Sequence, residues 1–139
     1  MIKCMALDYL KRFCADYDGI FREDENKCIT KWFGECRQFS PELGGIVCGA
    51  AKVYDDASVY EETLVYDNAK VYGNAKVYNS ASVYENAEVF DSAHIMGNAS
   101  VSGNAKVYGT ASVDGFATVY GNAEVYQNAK VLDNAEVFG

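Results

Sequence analysis

An aliphatic residue recurs at every sixth position from Val47 to Val137 without a slip, sixteen times in all, Val each time except Ile95. Two residues before each stands a small residue, Ala throughout except Gly45 and Thr63. The unit reads A-x-V-Y-G-N, as in AKVYGN at 69–74. A fixed short period of this length marks a repeat architecture. Residues two apart in an extended segment share a side, so Ala and Val occupy one face and the x and Tyr positions the other. The x position holds Lys52, Lys70, Lys76, Glu88, Lys106, Glu124, Lys130 and Glu136, which must be solvated. Ala and Val therefore point inward and the tyrosines outward. The G-N pairs read as turn residues, because both types tolerate the left-handed backbone region of a tight corner.

A strand of about four residues cannot cover its own apolar face, so the chain must coil on itself. If three hexads close one triangular turn, residues 18 apart stack about 4.8 Å apart along the axis. The sequence contains its own check. Every third hexad gives the corner series Asn68, Asn86, Asn104, Asn122 and the aromatic series Tyr54, Tyr72, Phe90, Tyr108, Tyr126. Lys52, Lys70, Glu88, Lys106 and Glu124 run beside them. Amide ladders, aromatic ladders and partly compensated charges are what coil-on-coil pairing favours. The expected product is a rod of about five coils, roughly 25 Å long.

These residues resemble the hexapeptide-repeat, left-handed parallel β-helix family over 47–139, about two-thirds of the chain. The resemblance implies an all-β solenoid, a left-handed parallel β-helix of about five three-sided coils. The tandem VYGNA style after the LGG at 43–45 is also similar to hexapeptide-repeat proteins of phages and prophages.

Residues 1–46 differ. They hold Trp32, Pro41, four of the five cysteines and 7 of the 12 basic residues. Leu7, Leu10, Phe13, Cys14 and Tyr17 fall at helical spacing, predicting an amphipathic helix near 5–17, and CITKWF at 28–33 suits a strand. The segment reads as a small N-terminal α/β cap on the first coil, since solenoid ends need covering. The start MIKCMALDYLKRF reaches Asp8 before an apolar signal region can form, and no run suits a membrane span. The cysteines at 4, 14, 28, 36 and 48 are odd in number, predicting reduced thiols in a cytoplasmic setting. Buried small hydrophobes describe them better than the scattered zinc set Cys14, Cys28 and Cys36.

Function is less legible. The net charge of −8 opposes direct binding to nucleic acid or anionic membranes. Enzymes of the hexapeptide family use a histidine base in a cleft, and His94 is the sole histidine, on an outward position of an uninterrupted repeat. An acyltransferase-like enzyme with His94 as base is therefore the alternative; the leading expectation has no catalysis, cofactor or metal. Four threonines are too few for an ice-binding column. What remains is surface. The repeat region carries 12 acidic against 5 basic residues, with regular carboxylates at Asp55, Asp56, Glu61, Glu62, Asp67, Glu85 and Asp91. The face with fewest charges holds Leu64, Tyr66, Tyr84, Ser102 and Tyr120, and Phe116 replaces a corner Asn. These are the expected protein-contact residues. The last coil ends in mid-pattern with Val131, Leu132, Val137 and Phe138, predicting end-to-end homodimerisation. The expected role is a phage-related protein-binding scaffold. One version is an acidic, nucleic-acid-mimicking inhibitor of a host defence protein, of the anti-CRISPR kind.

Overall fold

A computed structural model describes residues 36–40 and 44–139. Two longer strands come first, β1 (Cys36–Ser40) and β2 (Gly44–Cys48), paired antiparallel. Every later pairing is parallel and, apart from a register shift at Gly44, joins residues three hexads apart, as in Val65 to Val83 and Val83 to Val101. Three sheets result, of seven, five and five strands. The first face contains β1, β2 and the strands Glu61–Val65, Ser82–Val83, Ser100–Val101, Thr118–Tyr120 and Glu136–Phe138. The second runs from Lys52–Val53 to Glu124–Val125, and the third from Ser58–Val59 to Lys130–Val131. The protein is thus an all-β, parallel β-solenoid, with five turns of three hexads each separating Val47 from Val137.

The interior is as the repeat dictates. Every Ala and aliphatic residue of the pattern from Ala69 to Val119 is 0% exposed, forming one continuous column of side chains. The walls are held by a regular backbone ladder: Lys52 N–H donates to Ala69 O at 3.0 Å and Tyr54 N–H to Val71 O at 3.1 Å, and so on up the rod. Thr63 occupies an Ala position with 0% exposure, and its hydroxyl donates to Tyr60 O at 2.7 Å. A buried hydroxyl with a partner avoids the desolvation penalty that would exclude it.

Two expectations about the corners and cysteines are corrected. Positive φ falls on the first corner residue alone, as at Gly73 (68°), Asp67 (59°) and Asp91 (57°), and not on the Asn that follows. The Asn column exists for another reason: Asn68 Nδ2 donates to Asn86 Oδ1 at 3.4 Å, Asn86 to Asn104 at 3.3 Å and Asn104 to Asn122 at 3.2 Å. Cys36 and Cys48, expected as thiols, face each other across the β1–β2 pair and form a disulfide. Directly opposed positions on antiparallel strands bring the two β-carbons together, which sequence spacing of 12 could not reveal. Cys48 is also buried, at 1% exposure. Gly44 and Gly45 (φ 91° and 81°) let β2 press onto the next coil; a Cβ on Gly45 would lie 2.8 Å from the Val59 carbonyl carbon. The predicted helix at 5–17, the strand at 28–33 and three cysteines lie outside the described residues.

Candidate functional site

The outward side chains form vertical columns, because each residue sits over its counterpart three hexads earlier. On the second face Tyr54, Tyr72, Phe90, Tyr108 and Tyr126 stack ring on ring, with centroids 4.9–5.4 Å apart. Beside that column Tyr72 Oη donates to Glu88 at 2.9 Å and Tyr108 Oη to Glu124 at 3.1 Å. Burial, then the neighbouring carboxylate, pushes both phenols above their ordinary value of 10. Tyr54, Tyr60 and Tyr78 are raised too, burial again leading. The tyrosines face outward as expected, and their rings chiefly cover one another.

The acidic residues have a local role at the corners. The first corner residue's N–H has no place in the coil-to-coil backbone ladder, because its neighbour's N–H makes that bond: Asn68 N–H donates to Glu85 O at 2.9 Å. A side chain one coil earlier accepts the orphan N–H instead. Asp55 accepts from Gly73 at 3.2 Å, Asp67 from Glu85 at 3.3 Å and Asp91 from Gly109 at 3.1 Å. Glu61 accepts from Asn79 and Glu85 from Gly103, each at 2.5 Å. Five of the seven expected surface carboxylates are therefore tied into the frame, charge still exposed; Asp56 and Glu62 stand at the second corner position. Charge-assisted bonds offset the cost of left-handed backbone at residues other than Gly.

The first face gathers most of the expected contact residues. Its aromatic column reads Tyr66, Tyr84, Ser102, Tyr120, Phe138, with Tyr66 on Tyr84 at 5.0 Å and Tyr120 on Phe138 at 5.3 Å. Ser102 interrupts the stack, leaving Tyr84 and Tyr120 two coils apart, roughly 10 Å. Leu64 and Ser102 are buried, at 7% and 6% exposure, so neither offers a contact directly. Phe116, two residues before the strand Thr118–Tyr120, stands at the rim with 65% exposure. The neighbouring column runs Leu64, Ser82, Ser100, Thr118 and Glu136, and carries no charge before its last coil.

His94 lies between Lys76 and Ser112 in register, its ring edge-on to Tyr78 at 6.2 Å. No carboxylate bonds its ring among the described residues. In the final coil Val131 is buried, Val137 half-buried, and Leu132 and Phe138 are exposed at 45% and 66%. Among the described residues no helix is long and apolar enough to cross a membrane.

One cluster escaped sequence reasoning. Arg37, Lys52, Val53, Tyr54 and Lys70 line an open groove of about 520 Å³ beside the first coil. Its only sequence signal is the placing of one lysine three hexads from another.

The fold and these surfaces define a parallel β-solenoid displaying aromatic and acidic columns. Comparison with protein-family models, curated proteins and solved structures finds no match to this chain.

Proposed function

We propose that the protein is a non-catalytic scaffold that binds another protein through its first face, without a cofactor. The observation that carries this reading is the stretch from Leu64 to Thr118, free of charge, beside an aromatic stack broken at Ser102, with Phe116 65% exposed at its edge. Exposed carboxylates at Glu61, Asp67 and Glu85 flank that face. An uncharged centre with aromatic side chains inside a charged rim is the anatomy of protein interfaces. The complementary partner has a basic rim, as do proteins that handle nucleic acid. Competition for such a groove is the inhibitor version, and a phage-type hexapeptide repeat of left-handed winding belongs to the same reading. A second copy docks on the final coil through Leu132 and Phe138.

Affinity capture from the native host, with wild type and with Phe116→Ala and Tyr120→Ala, tests the proposal. A partner lost in both variants, whose binding weakens with added salt, is expected. Equal capture by the variants, or binding indifferent to salt, overturns it. Sedimentation of Leu132→Asp/Phe138→Asp tests the dimer: the wild type sediments as a dimer and the variant as a monomer.

A further inference from the structure

The groove beside the first coil concentrates positive charge on a chain of net charge −8. Lys52 and Lys70 are paired in register on adjacent coils, an arrangement of like charges that opposes folding. Both are exposed, and among the described residues neither makes an ion pair. Further along this column Glu88 stands beside Lys70, and Glu124 beside Lys106. Among the described residues of this column, Lys52 is the one charge with no opposite charge in register, and it lines the groove.

The remaining groups suit an anion. Among the described residues Arg37 makes one side-chain bond, Nη2 to Ala51 O at 2.5 Å, which holds the guanidinium at the groove and uses one of its five donors. Lys52 and Tyr54 point their N–H groups toward the next coil. By the alternation of a parallel strand, the Val53 N–H points the other way, toward the groove that Val53 lines, Lys52–Val53 being the edge strand of its sheet among the described residues. Among the described residues the carboxylates that act on Tyr54 are Asp55, which accepts from Gly73 N–H, and Glu88, which accepts from the Tyr72 hydroxyl; both keep their charge, and the three cations Arg37, Lys52 and Lys70 outnumber them.

Tyr54 adds a flat surface. One face of its ring stacks on Tyr72 at 4.9 Å and 4°, and the side chain is 41% exposed as the first step of the aromatic column. A planar ring seated on its outer face continues the column, with an attached phosphate among Arg37, Lys52 and Lys70. Guanidinium and ammonium donors suit phosphate oxygens. We infer that this groove binds a nucleoside phosphate, taking the base on Tyr54 and the phosphate on Arg37, Lys52 and Lys70. A long polyanion meets the acidic corners beyond the groove and is disfavoured.

Calorimetric titration of the full chain with AMP, adenosine, inorganic phosphate and a short single-stranded oligonucleotide tests this. AMP is expected to bind more tightly than either adenosine or phosphate. Lys52→Gln/Lys70→Gln should weaken AMP at least tenfold. Tyr54→Ala should weaken AMP several-fold and leave phosphate unchanged. The lysine variant removes the repulsion between Lys52 and Lys70 together with the attraction of Lys70 to Glu88, all between side chains at the surface, so its unliganded melting temperature should stay close to that of wild type, which separates lost binding from lost fold. AMP no tighter than adenosine, unchanged affinity in the lysine variant, or tighter binding of the oligonucleotide per phosphate would overturn the inference.

Discussion

Asn86 joins three coils: its amide nitrogen donates to Asn104 Oδ1 at 3.3 Å while its oxygen accepts from Asn68 Nδ2 at 3.4 Å. Asn86→Ala removes both bonds and should cost about 1–2 kcal/mol. Asn98→Ala, at the equivalent corner of another column, keeps the backbone bond to Gly115 O at 2.7 Å and should cost far less. Urea denaturation of the two variants makes the comparison; equal losses would remove the ladder from the account.

Gly45→Ala sets a methyl 2.8 Å from the Val59 carbonyl carbon at a backbone φ of 81°. Backbone strain and the clash together should cost about 3 kcal/mol, more than any single outward-facing substitution. Calorimetric unfolding reads the difference.

The Cys36–Cys48 bond closes a loop of sequence separation 12. Replacing both residues by Ser should lower stability by about 2–3 kcal/mol, mainly by freeing the unfolded chain. Reducing the wild type should give the same shift, and thiol counting before and after reduction confirms the pair.

Five tyrosines ionise in the folded protein above their ordinary value of 10, burial being the first cause. The unfolded chain therefore loses these protons first as pH rises. Their contribution to stability is complete below pH 10 and declines above it. Thermal melts across the alkaline range should show that decline, and Tyr72→Phe should flatten it. Phenolate absorbance rising together with unfolding provides the second readout.

The pattern of Ala and Val made the coil legible, since a six-residue period with one apolar side admits few ways to bury that side. It also placed His94, Tyr84 and Asn86 in their columns before any coordinates. The corner chemistry was legible only in part. Left-handed backbone was expected of Gly and Asn alike, yet Asn68, Asn86, Asn104 and Asn122 serve as amide ladder rungs. Acidic Asp55 and Asp67 take the strained position next to it, where they reach the next coil's N–H. Composition suggested a coat of free carboxylates; hydrogen-bond geometry makes most of them part of the frame.

What the sequence determined by itself is everything that follows from periodicity: which side chains fill the prism, that three hexads make a turn, and which residues share a face. Periodicity suffices because those contacts repeat identically at each step. Only the tertiary structure decided what packs outside the repeat: Cys36 against Cys48, and Arg37 brought beside Lys52 and Lys70. Those contacts join segments with no common period, so their partners are set by how β1 packs across the first coil, which spacing does not encode.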